Sequence, residues 1–79
     1  MSNTPHELHE EFPEYAEKLH DLKVSNAHFG KLSDDYHDVN RAIHRAESEV
    51  EPTDDFHLDE MRKTRLMLKD QIAAMLRDA

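Results

Sequence analysis

The sequence contains few of the residues that form disulfides, thiolate metal sites and tight loops. Among its 79 residues there is no cysteine and no tryptophan, one glycine and three prolines. The absence of cysteine excludes disulfides, thiolate metal sites and thiol catalysis, and it fits a reducing cytosol. The lone Gly30 leaves no glycine-rich phosphate-binding loop. No apolar run approaches the roughly 18 residues of a membrane span, and the N-terminal residues are neither basic nor apolar, so we expect no signal peptide.

Acidic side chains outnumber basic ones. The chain carries 18 Asp and Glu against 10 Lys and Arg, a formal net charge of −8. This balance argues against a nucleic acid or an anionic membrane as partner. Residues 1–60 hold 16 of the acids and five of the bases, whereas residues 61–79 hold two acids and five bases. We interpret the basic end as lying along the acidic helix before it and forming surface ion pairs. A basic strip for an acidic partner or RNA is the alternative.

One apolar residue recurs every seven positions over the first two thirds of the chain. The repeat is Leu8, Tyr15, Leu22, Phe29, Tyr36, Ile43 and Val50. Such a repeat keeps one stripe on one face of an α-helix, whereas a strand needs alternation. The flanking apolar positions change side near Ser25 and Asn26, which are good N-cap residues, so we predict a break there. Before it we predict a short helix over about 13–24, and before that a frayed turn over 5–11 that Thr4 and Glu7 open as a capping box.

Two longer helices follow. The first, over about 27–50, has a seam that steps by three and four residues, as in a coiled coil: Phe29, Leu32, Tyr36, Val39, Ile43, Ala46 and Val50. Pro52 ends it, and Thr53 or Asp54 can cap the second, over about 54–77. That helix has the seam Leu58, Met61, Arg65, Leu68, Ile72 and Met75. The short turn over 51–54 makes the two helices antiparallel neighbours.

These elements predict an all-α fold, an antiparallel coiled-coil hairpin with a short N-terminal helix. Residues 1–79 form a single domain, in which residues 1–7 are a candidate for disorder. Arg65 interrupts the apolar seam, and we favour a packed stem whose guanidinium reaches an acid such as Glu47. A register-setting polar residue and a functional contact are the other interpretations.

A second apolar line lies beside the seam of the last helix. A hairpin of this size rarely supplies more than a few kcal/mol from its core, so further cover is needed. Either the first helix folds back onto this line, or the line meets another subunit, and the sequence leaves both open. We expect a homo-oligomer, because exposed aromatic residues need cover. The predicted self-association or partner face is Phe12, Tyr15, Leu19, Leu22, Leu66, Ala73 and Leu76.

Histidine is unusually frequent, at seven of 79 residues. His6 and His9, with Glu10 adjacent, have ligand spacing for a divalent metal, but a closed zinc site needs about four converging ligands and no local cluster supplies them. We therefore expect solvated histidines and no metal site. Because free imidazoles titrate near pH 6.5, we predict that association or solubility changes between about pH 5 and 7.

A set of short motifs spans most of the chain, from about Leu8 to Leu76. They are Glu11-Phe12-Pro13-Glu14-Tyr15, Leu22-Lys23, Ala27-His28-Phe29, Leu32, Tyr36-His37, Ile43-His44-Arg45, Val50-Glu51-Pro52 and Arg65-Leu66-Met67-Leu68-Lys69-Asp70. Together they resemble the YdcH-like family of small bacterial proteins. The chain departs from that family at Arg62-Lys63-Thr64 and Met67-Leu68, where a more uniformly basic run is expected. The resemblance implies a bacterial, cytosolic helical hairpin of unknown function and carries over no catalytic or binding residue.

Catalysis has little support in the sequence. The acid pairs Asp34-Asp35 and Asp54-Asp55 are explained by helix surface and capping, and no serine stands in a glycine-rich elbow. We predict a cytoplasmic, non-enzymatic interaction protein that works by coiled-coil self-association or helix–helix binding. No catalytic, cofactor-binding or metal residue is assigned, no membrane or nucleic acid partner is expected, and an unidentified protein partner stays open. The alternative is a histidine-dependent metal-binding or pH-responsive protein.

Overall fold

The protein consists of four α-helices and one 3₁₀ turn in residues 5–48 and 54–78, the part of the chain that the computed structural model describes. The helices are α1 (Leu8–Glu11), α2 (Ala16–Ser25), α3 (Ala27–Glu47) and α4 (Asp55–Asp78), and the 3₁₀ turn is Pro13–Tyr15. No strand occurs in these residues, and α3 packs along α4. The predicted all-α helical hairpin is confirmed. The end of the predicted 27–50 helix and most of the predicted 51–54 turn fall on residues 49–53, which lie outside the described residues.

Side-chain caps define where both long helices begin. Asn26 has extended backbone angles, and its side-chain oxygen accepts a hydrogen bond from the Phe29 N–H at 3.1 Å. This satisfies one of the open donors of the first turn of α3, so the predicted break between the first two helical pieces is confirmed at Asn26. At the start of α4, the Asp54 carboxylate accepts from the His57 N–H at 2.7 Å. A carboxylate there also complements the positive end of the helix dipole.

The N-terminal segment, defined as residues 5–25, begins differently from the prediction. The predicted capping box is wrong, because α1 starts at Leu8 and its N-cap is Glu7, whose side chain makes no cap hydrogen bond. His6 has φ of 64°, a left-handed conformation that interrupts a right-handed helix. The carbonyls of Pro5 and His6 accept hydrogen bonds from α3 side chains instead. Thr4 lies outside the described residues. Within the predicted 13–24 helix, the 3₁₀ turn precedes α2, which extends to Ser25.

One apolar core joins the hairpin to the N-terminal segment. The buried apolar residues are Leu8, Phe29, Leu32, Tyr36, Ile43, Leu68, Ile72 and Leu76. Full burial of such a side chain contributes roughly 1.5–3 kcal/mol. Near the end of α4 the fully buried residue is Leu76, whereas Met75 of the predicted seam is only partly buried. The core therefore turns from α3 towards the N-terminal segment at this end of the hairpin.

A buried polar pair crosses the hairpin where Arg65 interrupts the seam. The guanidinium of Arg65 donates to the side-chain oxygen of Asn40 at 2.9 Å, and Asn40 is 1% exposed. The predicted contact between Arg65 and Glu47 is wrong, because Glu47 accepts from Arg62 at 2.8 Å. The reason is burial: the amide of Asn40 lies inside the fold and needs a partner. A polar contact at one level of an apolar seam fits the register-setting interpretation of Arg65.

Candidate interaction surface

The residues of the predicted self-association face divide into two groups. Phe12, Tyr15, Leu19 and Leu22 are partly buried against the core of the same chain, and Leu76 is a fully buried member of that core. On α4, Ala73 is half-buried, and Leu66 is 60% exposed. In this structure the N-terminal segment folds back on its own hairpin, which is one of the two arrangements that the sequence leaves open. Leu66 is the most exposed of the seven residues.

The solvent side of α4 carries most of the exposed apolar surface. Phe56 is 77% exposed, Leu66 60% and Met67 52%; the other large apolar residue exposed to this degree among those described is Val24, at the end of α2. Phe56, Lys63, Asp70 and Arg77 recur every seven residues and are all exposed. Seven-residue spacing places them along one line of the helix. We call this line, with Leu66 and Met67 beside it, the outer face of α4.

The charged residues of the outer face have no partner of their own. Within residues 5–48 and 54–78, the side chains of Lys63, Asp70 and Arg77 form no ion pair and no hydrogen bond. Other bases of α4 are engaged, since Arg62 binds Glu47 and Lys69 binds Glu11, both at 2.8 Å. The expected pairing of the basic end with the acidic helix before it is therefore found for Arg62 and Glu47 of α3, whereas Lys69 pairs with Glu11 of α1. The outer face keeps alternating, unpaired charges around exposed apolar side chains.

Polar contacts hold the N-terminal segment against α3 and α4. The Tyr36 hydroxyl donates to the His6 carbonyl at 2.6 Å, and the Asn40 amide donates to the Pro5 carbonyl at 2.8 Å. The Lys69 ammonium donates to Glu11 and lowers the pKa of that carboxyl, against the opposing effect of burial. Lys18 donates to the carbonyl of Leu76 at 3.2 Å. These contacts tie residues 5–18 to both helices of the hairpin.

Two histidines lie against carboxylates of the N-terminal segment. His37 Nδ1 is 2.8 Å from Glu7 Oε2, and His6 Nδ1 is 3.4 Å from Glu11 Oε1. The His37 atom is buried and makes no directed hydrogen bond among the described residues, so the contact with Glu7 is an ion pair that forms when the imidazole is protonated. In the described part of the chain, no group of three His, Asp or Glu side chains is placed to hold a metal ion.

Sequence reasoning missed Asn40 and Ser33, the two buried polar residues of α3. Both stand one position after a residue of the predicted seam, where a two-helix hairpin alone would expose them. They are buried because the N-terminal segment covers that side of α3. Arg65 was the available signal for Asn40, since a base in an apolar seam requires a polar partner across it.

In a comparison with known proteins, residues 29–76 match a family model described as a protein of unknown function (DUF465). This range is more than half of the chain. The chain belongs to the DUF465 family. The resemblance to small helical proteins of the YdcH-like type is thereby confirmed. No curated protein and no solved structure matches the chain.

The DUF465 match covers nearly all of α3 and α4, including the Asn40–Arg65 pair and every residue of the outer face of α4 except Arg77. The N-terminal segment, with its Glu11-Phe12-Pro13-Glu14 motif, precedes the matched range. No helix in residues 5–48 and 54–78 has the length and apolar character needed to cross a bilayer. The family description names no activity, so the function has to be argued from the surface of the hairpin itself.

Proposed function

We propose that this chain is a non-enzymatic interaction protein of the bacterial cytoplasm that associates with a second copy of itself through the outer face of α4. The observation that carries the proposal is the exposure of Phe56, Leu66 and Met67 on one helix of a chain rich in charge. Exposed apolar side chains grouped within a polar surround are typical of helix–helix contact surfaces.

The charges of the outer face are complementary to themselves in an antiparallel pair. In a two-fold pair of antiparallel helices, residues equally far from the midpoint oppose each other. A midpoint between Leu66 and Met67 puts each of these side chains against the other in the partner copy. Lys63, three residues before Leu66, then meets Asp70, three residues after Met67. Phe56 likewise meets Arg77, a geometry that permits a cation–π contact.

A parallel pair has the opposite electrostatics. It would set Lys63 beside Lys63, Asp70 beside Asp70 and Arg77 beside Arg77. Like charges at facing positions destabilise paired helices and act against the wrong orientation. The sequence of charges along the outer face therefore favours the antiparallel arrangement over the parallel one.

A charge swap tests this pairing. We expect sedimentation velocity to give a dimer for the unchanged chain. Lys63→Asp sets two acids together at both ends of the symmetric contact and should weaken association about tenfold, since two pairs change by up to ~1 kcal/mol each. Asp70→Lys should act similarly, and the double exchange of Lys63 and Asp70 should restore the dimer. Lys31→Asp is the matched control, because Lys31 lies on α3 and pairs with Asp35 of its own helix.

The possible outcomes test self-association and the pairing of Lys63 with Asp70 separately. A monomer at all concentrations up to about 100 µM, well above the micromolar range in which specific complexes form, would overturn self-association altogether. A dimer that neither single variant weakens would overturn the pairing of Lys63 with Asp70 and leave self-association in place. Failure of the double exchange to restore the dimer would have the same meaning for the pairing.

A pH-responsive role is the second candidate, and the contact between Glu7 of the N-terminal segment and His37 of α3 favours it. The other contact, between His6 and Glu11, lies within the segment. We infer that the segment is held more firmly at pH 6 than at pH 8, because a protonated imidazole attracts the Glu7 carboxylate. Hydrogen exchange of the α1 amides at the two pH values tests this, with His57→Gln as a control on exposed α4 surface. Exchange that is equally slow relative to free-peptide rates at both values would contradict it. A zinc titration of the same protein tests the metal-binding alternative.

A further inference from the structure

An open cleft of about 310 Å³ lies where α1, α2 and α3 meet. It lies on the N-terminal segment and α3, apart from the outer face of α4. Its apolar floor includes Leu8, Leu19 and Phe29. The volume is at the lower end of the range for small-molecule sites, roughly 300–1,000 Å³. The cleft is thus large enough for one small organic ligand.

All the ionisable side chains that line the cleft are basic. The polar lining consists of His9, His20, His37, Lys23 and Ser33, with no carboxylate. This is a marked departure for a chain in which 18 of 79 residues are acidic. Lys23 contributes a permanent positive charge, and three imidazoles become cationic as pH falls. An apolar floor with a cationic rim is the arrangement that an amphipathic anion requires.

A neighbouring depression in the same fold differs from the cleft in the charges that line it. It shares Lys23 and His37 with the cleft but adds Asp34, Asp38 and Arg41. There two carboxylates line the same surface as the cations, whereas the cleft lining has none. Lys23, His9 and His20 form no ion pair with any acid of residues 5–48 and 54–78. Among these described residues, the ion pair that involves a lining residue of the cleft joins Glu7 to His37 Nδ1 at 2.8 Å.

We propose that this cleft binds a small carboxylate with an apolar body, such as an aryl-alkanoate. The apolar body lies on the Leu19 and Phe29 side, and the carboxylate is bound by Lys23 and the protonated His20, which share one face of α2 at three-residue spacing. His9 from α1 adds positive charge at the rim. This site is independent of the proposed self-association, since the cleft lining contains no residue of α4.

Titration with hydrocinnamate, followed by amide and imidazole NMR signals, tests the proposal. We expect saturable shifts at Leu19, Phe29 and Ser33. The neutral alcohol phenylpropanol has the same apolar body and should bind at least about threefold more weakly. Affinity should rise from pH 8 to pH 6, because imidazoles ordinarily gain charge in this range and His9, His20 and His37 line the cleft. The other charged groups beside them are the cations Lys23 and Arg41 and the carboxylates of Glu7, Asp34 and Asp38, which oppose the gain.

Matched variants localise the binding. Lys23→Gln should weaken hydrocinnamate about threefold or more. Lys31→Gln removes an equal charge from an exposed position of α3 that does not line the cleft, and it should leave the affinity unchanged. Far-UV circular dichroism shows whether both variants keep the helical fold, and a His20→Gln variant tests the same site without touching Lys23. Absence of saturable shifts at the cleft would overturn the proposal. Equal affinity for the alcohol, or equal effects of Lys23→Gln and Lys31→Gln, would overturn it as well.

Discussion

The α3–α4 hairpin and the N-terminal segment are held in the fold by different forces. In the hairpin, Phe29, Tyr36, Ile43 and Ile72 are fully excluded from solvent. In the N-terminal segment only Leu8 is buried, and its other large apolar residues are partly exposed. What fastens the segment is a set of hydrogen bonds and ion pairs from α3 and α4.

This difference shows which part of the fold depends on pH and salt. Apolar burial is non-directional and depends little on pH or salt. Hydrogen bonds to half-exposed groups each contribute about 1 kcal/mol net, and exposed ion pairs contribute less and are screened by salt. We therefore expect the N-terminal segment to open before the hairpin unfolds, as elements with few buried apolar contacts do. The four predictions below test this contrast.

The largest effect is expected in the hairpin. Ile72→Ala removes a fully buried side chain and should lower the free energy of unfolding by about 2–5 kcal/mol, the usual cost of such a cavity. Urea denaturation followed by circular dichroism measures it. Leu66→Ala, on the same helix but 60% exposed, should change the stability of the monomer by less than about 0.5 kcal/mol when it is measured at a protein concentration too low for association. Equal losses in the two variants would contradict the assignment of inner and outer faces.

The next largest loss of stability is expected on removal of the Tyr36 hydroxyl, which joins the hairpin to the N-terminal segment. Tyr36→Phe keeps the buried ring but removes the donor to the His6 carbonyl and should cost about 1–2 kcal/mol. Faster hydrogen exchange in α1 than in α3 would show that the segment loosens first. Tyr15→Phe is the control, since it removes a phenol hydroxyl that makes no described hydrogen bond. Uniform acceleration of exchange across both regions would argue against a separate opening.

The same tyrosine predicts a loss of stability in alkali. Burial, aided by Glu11, raises the pKa of Tyr36 from 10.0 to about 12. The folded protein therefore keeps the phenol proton in a range where the unfolded chain loses it, and stability falls as pH rises between about 10 and 12. Urea midpoints across this range measure the slope, which should be shallower in Tyr36→Phe. An identical slope in the variant would show that Tyr36 ionisation is not its source.

The smallest effects on stability are expected for the ion pairs, and the size of each effect depends on where the pair lies in the fold. Lys69 holds the pKa of Glu11 below the ordinary value of 4.5, so this contact stabilises the fold above that pH and is lost as pH falls through the lowered pKa. Lys69→Gln should cost under about 1 kcal/mol because solvent screens the pair, and it should speed exchange in α1. Glu47→Gln breaks the exposed pair with Arg62 and should leave the unfolding midpoint unchanged. A larger loss from Glu47→Gln would reverse this ranking.

Much of the fold could be predicted from local patterns. Helical periodicity, the Asn26 cap and the return helix from Asp55 are properties of neighbouring residues, so the sequence is enough to place them. The errors fall where distant segments meet. The prediction of a helix start within residues 4–7 is wrong because α1 begins only at Leu8. The carbonyls of Pro5 and His6 instead accept hydrogen bonds from Asn40 and Tyr36, which come 35 and 30 residues later. Arg65 met Asn40 rather than Glu47 for the same reason. The candidate surface was found in part: Leu66 was in the predicted set, whereas Phe56 and Met67 were not.

By itself, the sequence determined that this chain is a cysteine-free helical hairpin, because a seven-residue apolar repeat, a proline turn and capping residues act over one or two helical turns. Only the tertiary structure decided which apolar faces are left open. The N-terminal segment lies over its own hairpin, and its Leu8 belongs to the same buried core as Phe29 and Leu76. Its polar groups bind side chains of α3 and α4. Burial depends on what packs from elsewhere in the chain, and a helix pattern cannot encode that. For this reason the outer face of α4 and the cationic cleft became visible only in the folded protein.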